Sequence, residues 1–173
     1  MDACKLWDDG LQRYDMGCDA QPLALYGPQG VGKSTLMNQF AHIAHTRRWI
    51  VAYITGRSMN TLWESLVSTL TSNGHWPHNY DVVNETLDLE LLKELSAQGA
   101  GFALLIDDAD ELPLKDLEAV CAALHEATQD GLRVTSALSG LPTLPAKLAE
   151  AQSYAERLFY FLPIALSSPS HRE

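Results

Sequence analysis

A glycine-rich loop that ends in a lysine is the part of this sequence whose residue types indicate chemistry most directly. Residues 27–34 read GPQGVGKS and match the pattern G-x-x-x-x-G-K-[ST] in full. Apolar residues 23–26 precede the loop and a helical pattern begins at Lys33. Glycines allow backbone N–H groups to turn inward, and the N-terminus of a helix adds unpaired N–H donors. The spacing therefore predicts a loop that holds the phosphates of a nucleotide.

Two residues at the end of this loop have predicted roles of their own. Lys33 would supply positive charge to the β- and γ-phosphates, and Ser34 would supply a hydroxyl ligand to Mg²⁺. A glycine-rich turn without a ligand is the alternative interpretation. The predicted nucleotide-binding residues are Gly27, Pro28, Gln29, Gly30, Val31, Gly32, Lys33, Ser34 and Thr35.

A pair of acids follows the most apolar run of the sequence. Residues 102–106 read FALLI, and Asp107 and Asp108 come directly after them. A buried strand that ends in two adjacent acids is costly unless the acids serve a cation. We therefore predict that Asp107 is the Mg²⁺ partner, through a coordinated water. Asp110 and Glu111 are weaker candidates, because acids at these positions also suit the N-terminus of the following helix.

Strand-like apolar runs alternate with helical patterns along the chain, which predicts the α/β class with a parallel sheet. The FALLI strand is the most apolar and is expected at the centre. The predicted strands are 23–26, 49–55, 102–106, 133–138 and 158–164. The predicted helices are 33–46, one marked by Leu62, Leu66 and Leu70, 87–95, 114–128, one from Pro145 to about 155, and a first helix with Leu6, Trp7, Leu11 and Tyr14 on one face.

The composition fits one soluble domain and argues against several classes of protein. The chain has 173 residues, 46% of them hydrophobic, and a formal net charge of −10. No apolar run reaches the ~20 residues that span a bilayer, and the acidic N-terminus lacks a signal-peptide pattern. The charge argues against broad adhesion to DNA or anionic lipid, although it leaves a local basic patch open. Three scattered cysteines suit a reducing compartment, so we expect a cytoplasmic protein.

The two motifs together resemble those of additional-strand P-loop ATPases of the AAA+ group and the related STAND signalling NTPases. The resemblance covers nearly the whole chain and implies a three-layer P-loop NTPase fold. Its five-stranded parallel sheet would have the order 5-1-4-3-2, with helices on both faces. It also implies ATP and Mg²⁺ as ligands. In many ATPases a glutamate at the position of Asp108 polarises the attacking water, so Asp108, one methylene shorter, has an implied catalytic role.

Two further residues take roles from this resemblance. Residues 139–159 resemble the segment after the fourth strand in bacterial AAA+ proteins of the origin-recognition-like type, where a polar residue senses the γ-phosphate. Ser136 and Ser139 are the candidates, and Ser139 is preferred because it lies nearer the carboxyl end of the strand; a capping or turn serine is the alternative. Arg157 resembles an arginine finger that reaches a neighbouring subunit's nucleotide. Its alternative is a surface salt bridge with Glu150 or Glu156.

The sequence also departs from the relatives it resembles. They continue past the fifth strand into a helical lid with a nucleotide-binding arginine, and residues 165–173 offer no room for one. We therefore expect weak ATPase activity in the isolated chain. The expected divisions are a helical flank over 1–22, the nucleotide-binding domain over 23–166 and a tail over 167–173.

Three functions remain open at this point. The first is an ATP-binding switch or motor that acts on a protein or nucleic-acid complex and assembles through Arg157. The second is a nucleotide-binding domain without turnover. The third is a small-molecule kinase, which the few basic residues disfavour, because no arginine cluster follows Asp107.

Overall fold

Five parallel strands form a single sheet in the computed structural model, which describes residues 2–166. Their order is β2-β3-β4-β1-β5, so the predicted order 5-1-4-3-2 is confirmed. The predicted tail, 167–173, lies outside the described residues. The strands are β1 (Leu23–Tyr26), β2 (Ile50–Thr55), β3 (Phe102–Asp107), β4 (Val134–Gly140) and β5 (Tyr160–Pro163).

Helices cover both faces of this sheet and give the three-layer architecture that was expected. On one face, α1 and α2 pack over alternate strand residues such as Ala103 and Leu105. On the other face, the remaining helices pack over Phe102, Leu104 and Ile106. The helices are α1 (Ala3–Asp15), α2 (Lys33–Thr46), α3 (Leu62–Ser72), α4 (Leu89–Ser96), α5 (Leu114–Gln129), α6 (Leu144–Ala151) and α7 (Ala155–Leu158). Among residues 2–166, no helix combines the length and apolar character needed to cross a membrane.

The strand β3 is central because both of its faces are apolar. All six of its residues are buried, and it pairs with β2 on one side and β4 on the other. Parallel strands covered on both faces are continuous apolar runs, which is the pattern that predicted this position.

The helix α1 is a brace for α2, the helix that begins at the glycine-rich loop. The Trp7 ring stacks on the Phe40 ring at a centroid distance of 5.1 Å, and its Nε1 donates to the Phe40 carbonyl at 3.0 Å. Arg47, the C-cap of α2, joins this helix to the middle and the carboxyl end of α1: its Nε lies 2.6 Å from Asp8 Oδ1 and its Nη1 lies 3.4 Å from Asp15 Oδ2.

Differences from the predicted elements are concentrated after residue 138. The strand β4 continues to Gly140, which places Ser139 inside the strand. The predicted single helix after Pro145 is divided in two, because Gln152 has an extended backbone with φ −147° and ψ 133°. The segment after this break forms the short helix α7, and β5 begins at Tyr160 instead of 158.

Candidate nucleotide-binding site

The glycine-rich loop connects the carboxyl end of β1 to the first residue of α2. Gly30 has φ 81° and Gly32 has φ 98°, the left-handed region that glycine adopts without a Cβ clash. Gly32 is also the N-cap of α2, so the loop delivers the chain directly into the helix N-terminus. This backbone geometry is the one in which successive N–H groups form an anion-binding concavity.

Gly27 has a structural role that the motif alone does not reveal. A Cβ on Gly27 would lie 2.1 Å from the Ile164 carbonyl oxygen, so another residue would push apart the loop and the chain after β5. The Gly27 N–H also donates to the Gly140 carbonyl at 3.1 Å. The first glycine of the loop therefore fixes the loop against the last residue of β4 and the segment that follows β5.

Lys33 is a buried cation whose partners are neutral. Its side chain folds back over the loop, and Nζ donates to the carbonyls of Gly27 and Pro28 at 2.8 Å each. The residue is 8% exposed, and within the described chain it forms no ion pair. A buried charge without a counter-ion is costly. The arrangement fits an anionic ligand at the helix N-terminus, which would supply the missing negative charge.

An open cavity of about 360 Å³ lies in front of the loop. Its volume falls in the range of pockets that hold small ligands. The lining residues follow the ends of four different strands, as expected for a ligand site in a parallel sheet. They are Gln29, Gly30, Gly32, Lys33, Ser34, Thr35, Arg57, Asp108 and Leu141.

Asp107 is the acid at the end of β3, and three donors hold its carboxylate. Ser139 Oγ and the Asp108 N–H donate to Oδ1, the latter at 3.1 Å, and the Tyr53 hydroxyl donates to Oδ2 at 3.3 Å. Burial, and then the negative charge of Asp107, raise the pKa of Tyr53, so this hydroxyl keeps its proton and remains a donor. Ser136 instead donates to the Leu104 carbonyl at 2.7 Å. Ser139 is thus the strand serine that contacts the acidic pair.

Asp108 adopts a left-handed backbone with φ 50° and ψ 44°, which is uncommon outside glycine. Its Oδ2 lies 3.2 Å from Arg57 Nε. Burial, and then the charge of Asp107, raise the pKa of Asp108, while Arg57 acts in the opposite direction. Strained backbone of this kind clusters at functional sites.

Arg57 is the site residue that sequence reasoning missed. It follows β2 by two residues, and the register pairs Thr55 with Asp107. Parallel neighbours end at the same edge of a sheet, so the residues after Thr55 lie next to those after Asp107. The strand order that the resemblance implied places β2 next to β3, and this adjacency could have indicated Arg57.

The structure gives the two weaker acidic candidates, Asp110 and Glu111, different surroundings. Both lie in a 3₁₀ turn, Ala109–Glu111, that precedes α5, which begins at Leu114 as predicted. Asp110 Oδ1 accepts the Leu141 N–H at 3.2 Å, which connects the segment after β3 to the end of β4. Glu111 is exposed.

Arg157 lies at the opposite end of the sheet from the loop. It is in α7, just before β5, and Leu23 at the start of β1 pairs with Tyr160. It lines a separate cavity of about 540 Å³ with His125 and Tyr154, which stack at a centroid distance of 4.6 Å. In the described part of the chain, Arg157 forms no ion pair with Glu150 or Glu156. Its side chain therefore cannot serve the loop of its own chain.

The fold and the loop together define a P-loop protein of the α/β class. A family model described as "AAA ATPase domain" matches residues 9–136, and the chain belongs to that family, the AAA+ P-loop ATPases. A comparison with curated proteins gives no match.

Solved structures of AAA+ proteins share the fold. The ORC2 protein of Aeropyrum pernix, described as ADPNP–ADP complexes, has a TM-score of 0.68 and 18% identity over 92% of this chain and 46% of its own. Cdc6p of Pyrobaculum aerophilum has a TM-score of 0.63 and 16% identity over 91% and 43%. AMPPCP-bound DnaA of Aquifex aeolicus has a TM-score of 0.61 and 17% identity over 94% and 45%. The chain spans less than half the length of each.

Proposed function

We propose that this AAA ATPase domain binds ATP with Mg²⁺ and acts as a nucleotide-dependent switch or motor on a protein or nucleic-acid complex. The observation that carries the proposal is Lys33, a buried cation that has only neutral partners and lies at a helix N-terminus. The ORC2 and DnaA structures, whose descriptions name nucleotide analogues, support the same kind of ligand here.

Each residue of the site has a proposed role that depends on its position. Residues 27–35 hold the phosphates through backbone N–H groups, and Lys33 moves from its loop carbonyls to the β- and γ-phosphates. Ser34 and Asp107 hold Mg²⁺, which supplies charge stabilisation to the phosphates. Ser139 keeps the Asp107 carboxylate in place and senses the γ-phosphate through it. Asp108 orients the water that attacks the γ-phosphate.

A nucleotide-binding domain without turnover is the second candidate. The observation that favours it is the ion pair between Arg57 and Asp108, because a carboxylate engaged by a guanidinium is a poor acceptor for a water proton. Membership of an ATPase family argues against the small-molecule kinase. Residues 23–166 are the proposed nucleotide-binding domain with 1–22 as its helical flank, and the free cysteines suit the proposed cytoplasmic setting.

Lys33→Ala tests the proposal. The variant is expected to lose at least tenfold in ATP affinity, because a hydrogen bond to a charged group is worth about 1.5–3 kcal/mol. Isothermal titration calorimetry measures the affinity, and circular dichroism checks that the fold persists. The matched control is Lys5→Ala, which removes the same charge from an exposed position on α1. Affinity of Lys33→Ala within about threefold of the unmodified chain contradicts the assignment of the loop.

A further inference from the structure

Lys147 is a cation of α6 that holds two carbonyl groups of the turn after Asp108. Its Nζ donates to the Asp110 carbonyl at 2.6 Å and also to the Leu112 carbonyl. The last carbonyls of a helical turn have no partner inside the turn, and a lysine ammonium can satisfy them. These two carbonyls belong to the 3₁₀ turn Ala109–Glu111 and to the residue that follows it. Lys147 therefore closes the turn from a different element.

The Lys147 ammonium serves this turn rather than a surface ion pair. The residue is partly buried, and no carboxylate pairs with it among residues 2–166. Lys5 and Lys93 differ, because each of them pairs with exposed acids. A hydrogen bond from a charged group is stronger than one between neutral groups. The contact is therefore a specific attachment of α6 to the segment after β3.

The end of β4 contacts the same turn at a second point. The Leu141 N–H donates to Asp110 Oδ1 at 3.2 Å. A Cβ on Gly140 would lie 2.6 Å from the same oxygen, so a larger residue at this position would displace the Asp110 carboxylate. The turn is therefore fixed by its contacts with the end of β4 and with α6, and Lys147 supplies two of the hydrogen bonds.

Asp108 is the residue at which this turn begins. It is the N-cap of the turn, and its left-handed backbone is of a kind that persists only where the surrounding structure holds it. The Glu111 N–H donates to the Asp108 carbonyl at 3.0 Å, which joins the two ends of the turn. A shift at the far end of the turn therefore changes the direction in which the Asp108 side chain leaves the backbone. That residue lines the cavity in front of the loop, whereas Lys147 does not.

We propose that Lys147 is a positioning residue for the hydrolysis of a bound nucleoside triphosphate. In that reaction the water oxygen bonds to the γ-phosphorus, the bond from the γ-phosphorus to the bridging oxygen breaks, and the products are the diphosphate, inorganic phosphate and a proton. By holding the turn, Lys147 keeps the Asp108 carboxylate where that group can orient the attacking water. This inference rests on the proposed nucleotide site and on the proposed role of Asp108. Because Lys147 lies outside the lining of the cavity, its effect is on turnover and not on nucleotide affinity.

Lys147→Met tests this role, because methionine keeps an unbranched apolar stem and removes the ammonium. Phosphate release gives kcat and KM for ATP with Mg²⁺ at one fixed protein concentration, and circular dichroism shows whether each variant is folded under the assay conditions. We expect kcat to fall by about tenfold, since a small misplacement of a catalytic group slows a reaction steeply. KM for ATP and the affinity for ADP are expected to stay within about twofold. Lys147→Arg, which retains a charged donor, should recover part of kcat, and Lys115→Met, at an exposed position on α5, is the matched control.

The outcomes separate this inference from the proposed function. If the unmodified chain does not bind ATP, both are overturned. If it binds ATP but shows no turnover at any protein concentration, the nucleotide site stands and the role of Lys147 is overturned. An unchanged kcat in Lys147→Met has the same meaning. A Lys147→Met chain that is unfolded, or that loses ADP affinity in proportion to kcat without recovery in Lys147→Arg, makes Lys147 a structural residue and also overturns the proposal. A selective loss of kcat with partial recovery in Lys147→Arg supports it.

Discussion

Three donors converge on the Asp107 carboxylate and fix its orientation. Ser139 and the Asp108 N–H occupy one oxygen, and Tyr53 approaches the other at 3.3 Å. At the scale of single residues, the oxygens of Asp107 are therefore held in fixed positions.

Asp107→Asn should weaken Mg²⁺-dependent ATP binding more than Mg²⁺-free binding, because the lost charge faces the cation. Calorimetry with Mg²⁺ and with a chelator gives the two affinities. Asp116→Asn, an acid on α5, is the charge-matched control. Equal losses in both conditions would contradict the metal role and indicate that Asp107 only supports the fold.

Asp108→Asn should retain nucleotide binding and lose turnover, because a water-orienting carboxylate acts mainly on the transition state. Phosphate release measures turnover, and the melting temperature reports on stability. A fall in melting temperature together with weaker nucleotide binding would instead identify Asp108 as a structural acid.

The residues of the site differ in how far the sequence could predict them. The loop was predictable because backbone geometry demands glycine at fixed spacings, as the positive φ of Gly30 and Gly32 shows. Arg57 was not predicted, because its partner is set by which strands are neighbours and where they end, and no local pattern marks it. Ser139 was expected near the end of β4, yet only the extension of that strand to Gly140 buries it against Asp107.

Among the elements, α2 connects the site to the rest of the molecule. It begins at Lys33, and its carboxyl end is joined to α1 by Arg47. The stacked Trp7 and Phe40 rings hold the middle of the same pair. The N-terminal flank therefore packs directly against the helix that begins at the loop.

Arg47→Met should lower the free energy of unfolding by about 0.5–1 kcal/mol at pH 7, the size of a partly exposed ion pair. Its hydrogen bond to Asp8 lowers the pKa of that carboxyl. Asp8 therefore stabilises the fold above its unfolded pKa of about 3.9, and this contribution disappears as the pH falls through the lower folded value. Urea unfolding at several pH values measures the difference between variant and parent, with Arg133→Met as control. A difference that persists unchanged at the lowest pH would contradict this account.

The bounds of helices and strands were predicted most accurately where the local sequence pattern is strong. The strands β1 and β3 and the helix α2 are close to their predicted bounds, because glycine or acidic residues punctuate strong apolar patterns. The break between α6 and α7 was missed, since residues 148–158 contain neither glycine nor proline. There the chain turns at Gln152, whose backbone is extended, and no local pattern in the sequence marks this turn.

At the scale of the whole molecule, the sheet separates Lys33 in the loop from Arg157, and both cations are proposed to act on a bound nucleotide. The loop follows the carboxyl end of β1, whereas Arg157 precedes β5 at the amino end. A single chain cannot bring them together. Two chains can, if the amino end of one faces the loop of the next, and such head-to-tail contacts generate rings or filaments.

Arg157→Ala should therefore remove the dependence of turnover on protein concentration. In the unmodified chain, phosphate release per molecule is expected to rise with concentration, because a neighbour must supply the guanidinium, and to be weak in dilute solution.

A mixture of two variants provides the sharper measurement. Lys33→Ala retains Arg157 but lacks a working loop, and Arg157→Ala retains the loop but lacks the arginine. Mixing the two should restore part of the turnover that each lacks alone. Fast hydrolysis by the dilute chain, equal in Arg157→Ala, would show that no neighbouring arginine is needed.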